Sequence, residues 1–192
     1  TLEWTDCHED MQCATATAPL DWAEPAGETI ELALVRHLAT SSKKLGSLFV
    51  NPGGPGASGV NFVADSLDYA VSGAVQKNYD VIGFDPRGVG ASSAVVCVDS
   101  AADMDEFLFG ASETVRASPE WFAEREAASA DFARGCLERT GDLLAHVDTV
   151  SAAHDLDMLR ATVGDRQLNY LGYSYGTLLG AIYAENFPGN VG

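Results

Sequence analysis

The chain has 192 residues, 46% of them hydrophobic and 9% aromatic, an ordinary composition for a globular domain with a sizeable core. Its net charge of −17, from 28 acidic against 11 basic residues, disfavours partners such as nucleic acids or anionic lipids, because both would be repelled. No apolar run approaches the roughly 18 residues of a membrane-spanning helix, so we expect no membrane span. The first residues, TLEWTDCHED, do not resemble a secretory signal, and any signal peptide is expected to have been removed.

The N-terminal region is punctuated by Pro19, Pro25 and Gly27, and we expect residues 1–28 to form an irregular arm. Apolar residues at alternate positions then predict a half-buried strand over Thr29–Leu38. We therefore divide the chain into this arm, 1–28, and the N-terminal part of an α/β core, 29–192.

Further strands and helices alternate along the core, and the region from 94 to 117 fits neither pattern. The predicted strands are Leu45–Val50, Tyr79–Asp85 and Arg166–Ser174. The predicted helices are Val60–Val71, Pro119–Arg139, Ser151–Val163 and Tyr175–Phe187. This alternation predicts crossover units and a mostly parallel, doubly wound sheet. Ligands bind beyond the carboxyl ends of such strands, where the glycine-rich turns after Val50, Asp85 and Gly172 should meet.

The segment GYSYG, Gly172 to Gly176, matches the pattern G-x-S-x-G between a predicted strand and a predicted helix. In this context the pattern indicates a strained turn that raises a serine hydroxyl above the sheet, with glycines where side chains would collide. The N-terminus of the following helix would favour negative charge beside Ser174. Ser174 is therefore the candidate nucleophile, and an ordinary strand-to-helix turn is the alternative.

The segment NPGGPG, Asn51 to Gly56, offers a second element of the same chemistry. A serine that attacks a carbonyl needs two N–H donors for the developing negative oxygen, one from the residue after it and one from an earlier loop. We predict the donors to be Tyr175 and either Gly53 or Gly54. Glycine lets the backbone approach a substrate, and the flanking prolines stiffen the loop. A stiff turn without a ligand is the alternative.

The glycine-rich segment GFDPRGVGAS superficially resembles a phosphate-binding loop. It lacks both the GK[ST] ending of a P-loop and the G-x-G-x-x-G spacing of a dinucleotide fold. We interpret it as a structural turn in which Asp85 and Arg87 pair locally. Neither a metal nor an organic cofactor is expected.

The four cysteines contain no C-x-x-C pair, which argues against zinc knuckles and thioredoxin-like sites. Two disulfides in an exported protein fit the even number better. Among the three connectivities we favour Cys7–Cys13, which closes a short loop, and Cys97–Cys136, which ties a loop to a helix. Four buried free thiols are the alternative, since reduced cysteine packs as a small hydrophobe.

The motifs GGPG, DVIGFDPRGVGAS and NYLGYSYGTLLGAIYAENFP occur in this order, each after a predicted strand. With TLEWTDC and PLDWAEPAGETIELALVRH before them, they resemble the serine peptidases of the α/β-hydrolase fold, over nearly the whole chain. The resemblance is to the secreted tripeptidyl aminopeptidase branch, related to prolyl aminopeptidases. Prolyl aminopeptidases typically carry histidine at the position of Pro52, which favours the tripeptidyl branch.

The resemblance implies a Ser-Asp-His triad that releases short peptides from free N-termini. It also implies a helical lid whose acidic groups hold the ammonium group of the substrate, and a secreted protein. By this likeness Ser174 is the nucleophile, and Tyr175 with Gly53 or Gly54 forms the oxyanion hole. The triad is incomplete, however, because the fold orders it as Ser, then Asp or Glu, then His.

Only Glu185 is acidic after Ser174, and all four histidines precede Ser174: His8, His37, His146 and His154. We therefore expect the chain to be the N-terminal part of a larger fold, ending just after the elbow helix. The lid, the acid and the base would then lie on a second polypeptide in obligate contact with this one, or be absent. An edge strand left unpaired would otherwise invite aggregation.

The leading hypothesis is a serine exopeptidase acting on free N-termini through an acyl-enzyme. An esterase, lactonase or amidase with the same site is the second, because elbow and oxyanion hole serve all acyl transfers. A non-catalytic binding module that keeps the fold is the third.

Overall fold

The computed structural model describes residues 2–192, which form two compact units. The first, called the core unit, comprises the described residues up to 94 together with residues 146–192. The second, called the inserted unit, comprises residues 95–145. This division was not predicted, because the helix predicted at Pro119–Arg139 follows the same alternation of strands and helices as the rest of the chain.

The core unit contains one sheet of six strands. They are β1 (Thr5–Asp6), β2 (Met11–Pro19), β3 (Thr29–His37), β4 (Gly46–Asn51), β5 (Tyr79–Phe84) and β6 (Asn169–Gly172), in the spatial order β1-β2-β3-β5-β4-β6. The pairs β4–β5 and β4–β6 are parallel, and the other three pairs are antiparallel. The expectation of a mostly parallel sheet was therefore wrong. Only the part of the sheet around β4 is parallel. The strands β2 and β3 are antiparallel because the connection between them is too short for a crossover.

The expectation of an irregular arm over residues 1–28 was also wrong. It contains β1 and β2, and β2 pairs with β3 along its whole length. In β2 the buried residues Ala14, Ala16 and Ala18 alternate with exposed Thr15 and Thr17. Alanine contributes little to a hydrophobic pattern, so this period of two was not recognised in the sequence.

Six α-helices accompany the strands within residues 2–192, and the predicted ones begin and end within two residues of their predicted bounds. They are α1 (Gly59–Ala70), α2 (Gly73–Asn78), α3 (Ala101–Phe109), α4 (Pro119–Thr140), α5 (Thr149–Val163) and α6 (Tyr175–Asn186). Short 3₁₀-helices cover Gly141–His146 and Pro188–Asn190. The caps explain the bounds of α5: Asp148 accepts the N–H of Ser151 at its start, and Gly164 is left-handed at its end.

Helices cover both faces of the core sheet. On one face Val60 and Val63 of α1 belong to an apolar cluster with Val50 of β4 and Val81 of β5. On the other face Gly180 of α6 lies so close to the ring of Tyr170 that a Cβ there would be 2.9 Å from it. This layering places the N-terminus of α6 and the turn before α1 at the carboxyl ends of the parallel strands.

The inserted unit contains α3 and α4. The disulfide Cys97–Cys136 joins the segment before α3 to α4, and Arg139 of α4 forms a bidentate ion pair with Asp99. The rings of Phe107 and Phe132 stack at 4.0 Å between the two helices.

A second disulfide, Cys7–Cys13, lies in the core unit between β1 and β2. Both are the pairings favoured from the sequence, and no free thiol occurs among the described residues. In the same part of the chain, no helix combines the length and hydropathy that crossing a bilayer requires.

Candidate active site

Ser174 occupies a sharp turn between the end of β6 and the start of α6. Its φ of 51° and ψ of −126° lie in a region that residues with a side chain rarely adopt. The side chain is exposed, and it makes no hydrogen bond with another side chain or with the backbone of residues 2–192. The turn thus displays the hydroxyl beyond the carboxyl end of the parallel strands, as the G-x-S-x-G pattern predicted.

The two glycines of this pattern are required by close approaches of the backbone. A Cβ on Gly172 would collide with the carbonyl group of Gly176, and one on Gly176 would lie 2.8 Å from two oxygen atoms of Asn51. The elbow can therefore form only where both positions lack a side chain.

The glycine turn Asn51–Gly56 packs directly on the elbow. A Cβ on Gly53 would collide with the carbonyl oxygen of Tyr173 and lie 2.9 Å from both the Cβ of Ser174 and the N of Tyr175. The structure thus brings together Ser174, Tyr175 and the turn after β4, which the sequence placed at the same edge.

The two glycines of the turn differ in what their N–H groups contact. The N–H of Gly53 donates to Oδ1 of Asn51 at 2.9 Å. The N–H groups of Gly54 and Tyr175 have no acceptor within residues 2–192. Of the two glycines named from the sequence, Gly53 therefore has its N–H occupied by Asn51, and Gly54 does not.

Asp85 fixes the other end of the glycine turn. Its Oδ1 accepts the hydroxyl of Ser58 at 2.6 Å and the N–H of Val60 at 3.0 Å, at the start of α1. Its Oδ2 accepts the N–H of Ala91 at 2.8 Å. A carboxylate at a helix N-terminus is favoured by the helix dipole. Asp85 therefore links the turn after β5 to the helix that follows the glycine turn.

The expected local pair between Asp85 and Arg87 was wrong. Arg87 forms a buried bidentate pair with Asp155 of α5, with both N–O distances at 2.7 Å. It also donates to the carbonyl groups of Pro19, Leu20 and His146. The partner lies 68 residues away, and only the tertiary fold brings the two charges together.

Two tyrosines brace the elbow from the two sides of the sheet. The hydroxyl of Tyr173 donates to the carbonyl of Ala70, the last residue of α1, at 2.7 Å. The hydroxyl of Tyr170 donates to the carbonyl of Gly176 at 2.9 Å. Burial raises the pKa of Tyr170 above its ordinary value, so this hydroxyl keeps its proton and remains a donor well above neutral pH. Together these bonds hold the turn against both helix layers.

His154 and His37 have contacts that do not include Ser174. His154 stacks on Trp22 at 5.3 Å and meets the edge of Phe187 at 5.0 Å. The Nδ1 of His37 is buried and has no partner among the described residues. No imidazole within residues 2–192 contacts the hydroxyl of Ser174.

His8 belongs to the one cluster of potential metal ligands found in the described part of the chain. The ligand atoms of Cys7, His8 and Cys13 lie within 4.8 Å of one another. Both sulfur atoms are joined in a disulfide, so the thiolates that would bind a metal are not present.

Sequence reasoning missed Asn51 and the role of Asp85. An asparagine two residues before a glycine is a recognised signal for a side-chain-stabilised turn, and it could have identified Asn51. No comparable signal marks Asp85, whose three partners lie on two separate segments.

Residues 46–192 match the family model described as the alpha/beta hydrolase fold. The chain therefore belongs to the α/β-hydrolase family, which confirms the fold class inferred from the motifs.

Among curated relatives, the chain is 42% identical to the tripeptidyl aminopeptidase of Streptomyces lividans, over 99% of this chain and 36% of that protein. It is 40% identical to the serine protease Hip1 of Mycobacterium tuberculosis, over 99% of this chain and 38% of that protein. It is 38% identical to a carboxylesterase B of the same organism, over 82% of this chain and 32% of that protein. The resemblance to the peptidase branch is thus confirmed, and the chain spans about a third of the length of these relatives.

Proposed function

We propose that this chain carries the nucleophile of a serine exopeptidase that releases short peptides, specifically tripeptides, from free N-termini. The observation that carries the proposal is the exposed, strained Ser174 packed against a glycine turn, with the N–H of Gly54 in that turn and the N–H of Tyr175 in α6 both lacking acceptors among the described residues. The identity with a tripeptidyl aminopeptidase over 99% of the chain supports the choice of substrate.

In the proposed reaction the hydroxyl oxygen of Ser174 attacks the scissile carbonyl while a base takes its proton. The N–H groups of Tyr175 and Gly54 stabilise the negative oxygen of the tetrahedral intermediate. The peptide bond then breaks, the amine product leaves with a proton from the same base, and the N-terminal tripeptide remains as an ester on Ser174. Water activated by that base hydrolyses the ester and regenerates the serine.

The acid and the base of the triad are proposed to lie outside these 192 residues. The order Ser, Asp, His in this fold supports the proposal, because no histidine follows Ser174. The intact masses of all polypeptides that co-purify with the chain from its source test it. A native enzyme that turns over substrate as this chain alone would contradict it.

Secretion is proposed on the two disulfides, which form and persist in oxidising compartments. Fractionating the source organism into cytosol and medium, with immunodetection of the chain, tests this. Detection confined to the cytosol would contradict it.

A second candidate is ester hydrolysis at the same serine, and the identity with a carboxylesterase favours it. The complete enzyme should be assayed on tripeptidyl anilides, on the same anilides with an acetylated N-terminus, and on short acyl esters. Cleavage of the free anilides, with at least about a hundredfold loss on acetylation, supports the exopeptidase. Turnover of esters alone would select the esterase.

The role of Ser174 is tested by Ser174→Ala in the complete enzyme. We expect turnover to fall by about a millionfold, as when a triad serine is removed, with an unchanged unfolding midpoint. A fluorophosphonate should label the unmodified enzyme at Ser174 and leave the variant unlabelled. An unlabelled Ser174 in the complete enzyme would instead indicate a non-catalytic module.

A further inference from the structure

Asn51, the last residue of β4, joins the glycine turn to the elbow through both of its oxygen atoms. Its backbone carbonyl accepts the N–H of Tyr173 at 2.9 Å, and its Oδ1 accepts the N–H of Gly53 at 2.9 Å. The residue is only 1% exposed, so water does not compete for either bond. One buried residue therefore sets the spacing between the two segments of the candidate site.

The first turn of α6 packs against the same side chain. A Cβ at Gly176 would lie 2.8 Å from both the carbonyl oxygen and Oδ1 of Asn51, which is closer than real Cβ contacts. In the sheet, Asn51 is also paired with Gly172 of β6. The amide of Asn51 is thus enclosed by residues on both sides of Ser174 and has little freedom to move.

The bond from Gly53 to Asn51 removes the Gly53 N–H from those available to a substrate. The N–H of Gly53 points at Oδ1 of Asn51, whereas those of Gly54 and Tyr175 lack an acceptor in the part of the chain that the structure describes. Gly53 has a φ of +94° and no side chain that would limit rotation of its peptide groups. Without Oδ1, the Pro52–Gly53 peptide would lose the hydrogen bond that fixes its orientation, and the direction of the Gly54 N–H would shift with it.

We propose that Asn51 is a positioning residue for the oxyanion hole. Its side-chain oxygen binds the Gly53 N–H and thereby directs the Gly54 N–H toward the position of the substrate oxyanion, to which the Tyr175 N–H also donates. This inference rests on the proposed acyl transfer at Ser174. Asn51 acts through Gly53 and does not touch the substrate. A neutral amide suits this role, since a carboxylate would place negative charge beside the developing oxyanion.

The test compares Asn51→Ala and Asn51→Ser in the complete enzyme, including the segment that supplies the acid and base. Asn51→Ala should lower kcat by about 10- to 100-fold with KM changed less than about threefold, since losing one oxyanion donor outright costs about 10²–10³ in kcat. Asn51→Ser should recover part of the loss, because a serine hydroxyl also accepts the N–H two residues on, although more weakly. Affinity for a peptide boronic acid, which forms a tetrahedral adduct, should fall with kcat, while affinity for the product tripeptide stays constant.

Asn169→Ala is the matched control, because Asn169 bonds the carbonyl of Ser47 at 3.0 Å across the same strand pair, away from the elbow. It should leave kcat and boronate affinity unchanged, whatever it does to the unfolding midpoint. Unchanged kcat or boronate affinity in Asn51→Ala would overturn the inference. If Asn51→Ala does not fold, Asn51→Ser decides by the same two measurements. Fluorophosphonate labelling of the unmodified enzyme distinguishes the two failures, because an unlabelled Ser174 would overturn the proposed function itself.

Discussion

At the scale of single residues, the elbow depends on backbone positions where no side chain fits. The elbow at Ser174 could be predicted from five consecutive residues, because the glycines, the serine and the ends of the strand and the helix that form it are neighbours in the sequence. The choice between Gly53 and Gly54 could not be made in the same way. It depends on where the side chain of Asn51 points, and that direction is set by packing against α6.

A comparison of Gly53→Ala with Gly56→Ala tests the contact between the glycine turn and the elbow. Both glycines have a positive φ, +94° and +99°, so both variants carry a similar backbone strain of about 1–3 kcal/mol. Only the Gly53 methyl group meets the elbow, whereas nothing lies within 4 Å of a Cβ on Gly56. We expect a loss of at least about a hundredfold in kcat for Gly53→Ala, because a shift of about 1 Å at the reacting atoms costs that much, and a far smaller loss for Gly56→Ala.

Steady-state kinetics and urea denaturation of both variants provide the measurement. Equal losses of kcat in the two variants would show that backbone strain, and not contact with the elbow, controls the site.

At the scale of secondary-structure elements, the sequence predicted the helices with strong caps and missed the strands built from alanine and threonine. The cap at Asp148 is a local signal, and so is the glycine after α5. The pairing of β2 with β3 is not local, and its buried alanines look like neutral residues in the sequence.

Asp157 couples α5 to the elbow helix α6 and makes that contact sensitive to pH. Its Oδ1 accepts bonds from Arg160, Tyr183 and Asn190, each at 2.8 Å. Burial alone would raise the pKa of Asp157, but these bonds outweigh it and hold the pKa below its ordinary value. A carboxyl whose pKa is lower in the folded state stabilises the fold above the unfolded-state pKa. That stabilisation is lost as the pH falls through the folded-state pKa.

We therefore expect Asp157→Asn to lower the free energy of unfolding by roughly 1–3 kcal/mol at pH 7, and by progressively less below about pH 4. Denaturant unfolding at a series of pH values measures this. Asp131→Asn is the matched control, because Asp131 forms the same i,i+3 pair with Arg134 but is 71% exposed. A difference between Asp157→Asn and the unmodified protein that does not depend on pH would contradict the prediction.

At the scale of the whole molecule, the alternation of strands and helices predicted the fold class, and the directions of the outer strands could not be predicted. Period-two patterns do not distinguish parallel from antiparallel neighbours, and the directions of β2 and β3 follow from connection length and from long-range pairing. The pair between Arg87 and Asp155, which joins the turn after β5 to α5, is equally non-local.

The net charge of −17 on these 192 residues should attract any cationic substrate over long range. We expect kcat/KM of the complete enzyme for a tripeptidyl anilide with a free amino group to fall severalfold between about 0.01 and 0.5 M NaCl, as screening shortens the range of attraction. A neutral acyl ester is the control and should show no such dependence. Equal salt dependence for both substrates would exclude electrostatic attraction as the cause.

Arg87 and its neighbour Gly88 bind the two segments between which the inserted unit lies in the sequence. Arg87 binds the carbonyl of His146, where the chain re-enters the core unit, and the N–H of Gly88 binds the carbonyl of Ser93, where it leaves. The two segments of the core unit that flank the inserted unit are thus hydrogen-bonded to two adjacent residues of the core unit, Arg87 and Gly88. The segment between them, residues 95–145, can therefore lengthen, shorten or change its composition without loss of the contacts that hold Ser174, Tyr175 and Gly54 within the core unit.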